Sequence, residues 1–259
     1  MGFGETEWIN GLKQEILTAC YHTGEGHVAS AYSILDILYV LYDRVLDCGM
    51  IKKNSETRDR FILSKGHAAI GYYAVLKKFG FIEENLDTMC AYGSRLGGHP
   101  DCNKVPGVEA STGSLGHGVP MAVGMALGFK IKGNPAHVYT LAGDGEINEG
   151  SIWESFLVLN HNKLNHFTFI LDYNHSTDRA VDLGDIGAKF CSFGFHVIKI
   201  NGHDHAAIEK ALRWRGDKPV AILAETVKGR GITGMEDNPA WHHRIPTGEE
   251  YRMFMEELS

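Results

Sequence analysis

The chain has 259 residues, 44% of them hydrophobic and 22% charged, with 31 Gly and 7 Pro. That is enough apolar surface for one large α/β domain, and it excludes a disordered chain. With 25 basic against 32 acidic residues the net charge is −7 and no Lys/Arg cluster forms, which argues against a nucleic-acid or anionic-membrane surface.

From Trp8 to Val45 the apolar spacing is helical, broken at Thr23-Gly24-Glu25-Gly26, and the run Ile34 to Leu41 should be buried all round. Asp59 to Leu63 reads as a strand entering Ser64-Lys65-Gly66-His67, followed by a helix over Ala68 to Phe79. Residues Tyr92 to Gly118 are rich in Gly, Pro and Ser and should loop over the surface; a small-residue helix then runs over Val119 to Lys130. Further strands are expected at 137–142, 166–171, 196–200 and 220–224, with helices over Ile152–Leu164 and Ala206–Trp214 and Asp204 as the N-cap of the latter. Strands alternating with helices imply a doubly wound, mostly parallel sheet with helices on both faces, in one domain over 1–259.

Five cysteines, at 20, 48, 90, 102 and 191, are odd in number and form no CxxC pair. They read as reduced thiols in a cytoplasmic protein rather than a disulfide framework. No apolar run approaches the ~20 residues needed to span a bilayer. Met1-Gly2 with Thr6 fits the myristoylation pattern and Asn174-His175-Ser176 the glycosylation sequon; both patterns are short and are set aside.

The most informative segment runs from Gly143-Asp144-Gly145-Glu146 to Asp172-Tyr173-Asn174. Asp144 should follow the carboxyl end of one strand and Asn174 that of the next, one strand-helix-strand unit later, at the edge where open α/β sheets bind ligands. A carboxylate and an amide carbonyl are hard oxygen donors suited to Mg²⁺ or Ca²⁺. Gly143 and Gly145 let a diphosphate approach the main chain, and Gly145 can donate its N–H. Glu149 could be a helix cap or a buried hydrogen-bonding carboxylate.

This spacing resembles the thiamin diphosphate fingerprint of the transketolase family, and the resemblance covers nearly the whole chain. Gly26-His27-Val28-Ala29-Ser30, Ser64-Lys65-Gly66-His67-Ala68, Gly98-His99-Pro100, Ser111 to Gly118 and Lys228-Gly229-Arg230-Gly231-Ile232 through Trp241-His242 are similar, in order, to that family's motifs. Val28 and His117 depart from the usual Pro and Gln, and Asp178 lies where other members differ.

The resemblance implies a transketolase, transferring a two-carbon ketol unit from a ketose (phosphate) donor to an aldose (phosphate) acceptor through a thiamin diphosphate carbanion. It implies that Asp144, Asn174 and the Ser176 carbonyl hold Mg²⁺ (or Ca²⁺) against the diphosphate. Ser30, His67, Gly113, Ser114, Leu115, Gly145, Glu149, Asn174, Lys228 and His242 would contact the cofactor. His27, His99 and His242 would act on sugar hydroxyls, because a carbonyl oxygen gaining charge needs a nearby donor.

His22, His137, His161, His166, His196 and His205 are read as structural; His117, His175, His203 and His243 are left open. Fused relatives continue into pyrimidine-binding and carboxy-terminal domains, for which the chain has no room. The expectation is therefore the amino-terminal subunit of a split transketolase, completed by a carboxy-terminal subunit in a heterotetramer of two plus two. Related alternatives are a transketolase-like enzyme of specialised sugar metabolism and a cofactor-holding subunit without catalysis. A His-rich metal hydrolase lacks any compact ligand set such as HExxH, and deoxyxylulose-phosphate synthase fits the histidine motifs less well.

Overall fold

The computed structural model describes residues 3–178 and 180–259, with side chains from residue 6 onward; the Met1-Gly2 pattern lies outside the described residues. Among these residues one five-stranded sheet is formed by β1 (Arg60–Leu63), β2 (Val138–Gly143), β3 (Phe167–Tyr173), β4 (His196–Asn201) and β5 (Val220–Glu225). Its order is β1-β2-β3-β5-β4, and each neighbouring pair is parallel. The doubly wound reading therefore holds, with every strand parallel.

Alternation along each strand divides the apolar side chains between two cores. Leu63, Tyr139, Leu141, Ile170, Ile222 and Ala224 face one cluster, shared with α1 (Phe3–Thr23), α2 (Val28–Val40), α4 (Ala69–Lys78), α8 (His205–Leu212) and α9 (Gly248–Glu257). Ile62, Val138, Phe167, Phe169, Leu171, Ala221 and Leu223 face the other, beneath α5 (Gly118–Lys132), α6 (Gly150–His161) and α7 (Ile186–Ser192). As the apolar run Ile34 to Leu41 implied, all of α2 is buried.

Several boundaries differ for local reasons. The α6 helix stops at His161 rather than 164, because Lys163 adopts a left-handed φ of 49°. Strand β3 runs two residues further than expected, bringing Asp172 into register with Gly143 and Ala224. The short α3 (Cys48–Lys52), α7 and α9 were not anticipated. Thr247 and Glu250 form a reciprocal capping box that announces α9. The 92–118 segment is not simply a surface loop: Leu96, Val105 and Val108 are buried, and the Thr112 hydroxyl donates to the Leu63 carbonyl at 2.6 Å. It thereby returns residues 113–115 to the strand tips. Asp204 caps α8, accepting from Ala206 N–H and Ala207 N–H.

Candidate functional site

Asp144 and Asn174 meet where β2 and β3 end. The Asp144 N–H donates to the Asp172 carbonyl at 3.2 Å, and the Asp144 carboxylate accepts from Gly145 N–H at 2.7 Å and from Thr177 N–H at 3.2 Å. The two strand tips are thus tied through one side chain. Asn174 turns its amide nitrogen toward Asp172 Oδ2, 2.9 Å away, and its oxygen accepts from the Ser176 N–H and hydroxyl. Since Asn174 is buried and its amide is engaged, the sequon carries no accessible acceptor.

A cavity of about 290 Å³ opens over these tips, lined by Ser30, His67, Leu115, Asp144, Gly145, Asn174, Ser176, Lys228 and His242 together with Lys65, Gly143, Glu146, Thr177 and Ala180. The first nine are residues singled out from the sequence. His27 stands at its rim, its ring centroid 5.1 Å from that of His67 and 5.4 Å from that of His242. His99 packs beside Gly113, where a Cβ would come within 3.0 Å of the His99 ring. Gly66 must be glycine for a related reason, since its Cβ would meet Gly113 N at 2.9 Å. Gly113 and Ser114 do not line the cavity, although Leu115 does.

Glu149 does not serve as expected. It is exposed and makes no side-chain cap for α6. The buried hydrogen-bonding carboxylate of this turn is Glu146, which accepts from Ser64 Oγ at 2.5 Å and Gly116 N–H at 2.9 Å. The short helical turn at 145–148 swings Glu146 inward and carries Glu149 past the pocket.

Two further residues, Asp172 and Lys65, escaped the sequence reading. Asp172 is fully buried and accepts from Lys65 Nζ at 2.5 Å, Ser33 Oγ at 2.8 Å, Thr226 Oγ1 and Asn174. Burial alone would raise its carboxyl, but the Lys65 ammonium and these hydrogen bonds hold it below the usual carboxylate range. A charged residue inside an otherwise apolar strand is the signal that could have found the pair, because a buried charge needs a partner.

Burial governs the titration of the cavity's basic groups. Burial, then the neighbouring Lys65 charge, lowers the Lys228 ammonium to about 8, and Lys228 Nζ lies 2.8 Å from His242 Nδ1. Lys228 can only donate, so a neutral His242 accepts at Nδ1 and carries its proton on Nε2. Burial likewise pushes His67 to about 2 and His27 to about 4, with Lys65 next in importance for His67 and His243 for His27; both rings are neutral near pH 7. Burial raises the Asp144 carboxyl, against its two backbone hydrogen bonds.

These residues fit a diphosphate with a divalent cation. Ser30 Oγ, on the cavity wall, is buried without a hydrogen-bond partner, and such a group costs about 1–3 kcal/mol unless something meets it. Asp144 and Asn174 offer fixed hard oxygens with lone pairs to spare, and the Gly145 position is open, with nothing within 4 Å of a built Cβ. Among the described residues no group of three or more His, Cys, Asp or Glu side chains is placed to hold a metal.

A parallel α/β domain with a polar cavity, lined by lysines and carboxylates at adjacent strand tips, places the chain among the doubly wound folds that bind ligands at the carboxyl ends of their strands. More narrowly, the family model described as the transketolase, thiamine diphosphate binding domain matches residues 5–251, and the chain belongs to that family. It is 34% identical to one subunit of the apulose-4-phosphate transketolase of Phocaeicola vulgatus, over 95% of this chain and 91% of that one. It is 37% identical to a 6-deoxy-6-sulfo-D-fructose transketolase subunit from a Clostridium species, over 91% and 89%. Mouse transketolase shares 38% identity, but the match spans 90% of this chain and only 38% of the mouse protein. The transketolase structure from Campylobacter jejuni superimposes with a TM-score of 0.88 at 28% identity, covering 100% of this chain and 43% of that one. The chain thus spans about two-fifths of the single-chain transketolases it matches.

Proposed function

We propose that residues 1–259 form the diphosphate-binding domain and amino-terminal subunit of a split transketolase, with a pyrimidine-binding domain supplied by a carboxy-terminal partner chain. One observation carries the reading: Asp144, Asn174, Ser176, Lys228 and the unpartnered Ser30 hydroxyl converge on one cavity. The nearly full-length match to relatives named as transketolase subunits supports the two-chain arrangement. Assembly as two of each chain follows that arrangement, and the five unpaired cysteines suit a cytoplasmic setting.

Bound thiamin diphosphate supplies the nucleophile and electron sink for moving a two-carbon ketol unit between sugars. Asp144, Asn174 and the Ser176 carbonyl would hold Mg²⁺ or Ca²⁺ against the diphosphate, Lys228 would offset remaining charge, and Gly145, whose N–H is engaged by Asp144, leaves the phosphates room to approach. Ser30, His67, Gly113, Ser114 and Leu115 shape the rest of the cofactor's bed. His242, presenting Nε2–H, donates to a substrate oxygen as negative charge gathers there. Neutral His27, with His99 beside it, accepts from or donates to sugar hydroxyls.

The relatives matched over most of their own length favour a specialised substrate over the common pentose phosphates, with apulose-4-phosphate and 6-deoxy-6-sulfo-D-fructose as the donors to try first. Ketol transfer from a panel of ketoses, measured with Mg²⁺ and thiamin diphosphate, tests the whole reading. Turnover is expected only when the carboxy-terminal subunit is added, and to fall at least a hundredfold with Asp144→Ala. Full turnover by this chain alone overturns the split arrangement; zinc-dependent hydrolysis indifferent to thiamin diphosphate overturns the family chemistry.

A further inference from the structure

Behind the cavity, on the α2 side, lies a second polar assembly that the site does not use. Asp36, buried within α2, accepts from two histidines that begin α8: His203 Nδ1 at 2.8 Å and His205 Nε2 at 2.8 Å. His203 engages its second ring nitrogen as well. Its other nitrogen, Nε2, accepts the main-chain N–H of Val227 at 2.9 Å. These partners fix the tautomer, with the proton on Nδ1 facing the carboxylate and a lone pair on Nε2 facing the amide.

Val227 immediately precedes Lys228. The flanking residues have anchors of their own: Thr226 reaches Asp172 through its hydroxyl and donates its N–H to the Tyr173 carbonyl at 3.2 Å, the Lys228 carbonyl accepts from Asp237 N–H at 3.0 Å, and Gly229 N–H donates to the Ala29 carbonyl at 3.0 Å. Between them, the Val227 N–H is held by a side chain rather than by a strand neighbour, because the ladder between β3 and β5 ends at Tyr173 and Glu225. The Val227 amide, one residue before Lys228, is therefore held where the His203 ring sits, and that ring is set by Asp36.

We propose that His203 is a positioning residue that, braced by Asp36, holds the Val227 amide and so aims the Lys228 ammonium into the cavity. The inference rests on the reading of that cavity as a diphosphate site. Outer groups that orient a ligand-binding residue characteristically change affinity about 10–100-fold when removed.

Variants of the 259-residue chain separate this role from mere packing. His203→Ala leaves the Val227 amide without its acceptor, so its hydrogen exchange should quicken about tenfold or more. His203→Gln can donate to Asp36 and accept from Val227, and should restore protection. With the partner subunit present, calorimetric titration of thiamin diphosphate and Mg²⁺ should show about tenfold weaker binding for His203→Ala, recovery for His203→Gln and no loss for His205→Phe. In a Lys228→Met background, His203→Ala should weaken binding no further. Should His203→Ala fail to fold, His203→Phe fills the space without accepting and replaces it in each comparison.

Unchanged Val227 exchange, equal effects of the His203 and His205 variants, or an additive loss in the Lys228→Met background overturns the positioning role. If the wild-type complex binds no thiamin diphosphate, the diphosphate reading fails instead. Val227 exchange and the reactivity of Lys228 toward an amine-acylating reagent then still decide the proposal: both change in His203→Ala if it holds, and neither changes if it does not.

Discussion

Asp172 shows how one side chain can set a site without lining it. Its carboxylate receives Lys65, Ser33, Thr226 and Asn174, satisfying a buried ammonium and orienting the Asn174 amide. Asp172→Ala would leave the Lys65 charge buried and unpaired, which typically costs about 3–5 kcal/mol. Urea unfolding should register that loss, and the double variant with Lys65→Met should recover a large part of it. A single variant within about 1 kcal/mol of wild type, the level of an ordinary substitution, would show that Asp172 has no such role.

His137 makes a prediction about acid. It is buried, its Nε2 lies 2.8 Å from Thr168 Oγ1, and burial, followed by the nearby Arg215 charge, lowers it to about 2. The unfolded chain takes up a proton near pH 6.5 that the folded chain refuses, so stability falls as pH drops below about 6.5, by about 1.4 kcal/mol per unit. Asp36 acts lower down. Burial opposes its ionisation, but the two histidine hydrogen bonds prevail and hold it at about 2; its contribution is intact above about pH 4 and is lost between about 4 and 2. His137→Gln keeps a partner for Thr168 and removes the share of the upper effect that His137 contributes, leaving those of His67 and His27. The difference in unfolding free energy between pH 7.5 and 5 should be about 2 kcal/mol smaller in the variant than in wild type.

Among the helices, α5 separates glycines that are required from those that are not. A Cβ at Gly118 would lie 2.5 Å from Ser64 Oγ and 2.6 Å from Ser64 Cα, whereas at Gly124 nothing lies within 4 Å. Gly118→Ala must push the helix start away from the end of β1 and should cost about 1–3 kcal/mol. Gly124→Ala only removes backbone freedom and should gain up to about 1 kcal/mol. Thermal unfolding should move the two melting temperatures in opposite directions; equal shifts would contradict the packing described.

Elements with clear periodicity or an apolar run were legible in the sequence, including the buried α2 and all five strands. The misses were of two kinds. Helices such as α7, seven residues long, are too short to show a period, and α9 was announced only by its capping box. The turn after β2 was misjudged because Glu146 and Glu149 carry the same chemistry, and only the sense of a short helical turn decides which one enters the protein.

At the scale of the whole molecule, the cavity residues taken from motifs assemble as one site, because the segments holding His67, Asp144, Asn174 and Lys228 follow strand ends and those holding Ser30, Leu115 and His242 pack over them. What local patterns could not reveal is pairing at a distance. Asp36 and His203 are separated by 167 residues, and Lys65 and Asp172 by 107. Each looks anomalous alone, a charge within an apolar run or a histidine in a plain turn, and is explained only by its partner. The proposed need for a partner chain belongs to this scale too, and the turnover assay with and without the second chain is its test.

The edge strand β1 has one neighbour, β2, and the chain between Leu63 and Val138 carries His67, His99 and residues 113–115 on its way there. A nascent polypeptide must therefore carry this entire excursion before β1 can pair with β2. That is a high-contact-order step, slow beside the shorter closures that join β2, β3, β5 and β4. The wall of the cavity and the last seam of the sheet are consequently one folding event, and a chain whose β1 has not docked has no cavity to offer.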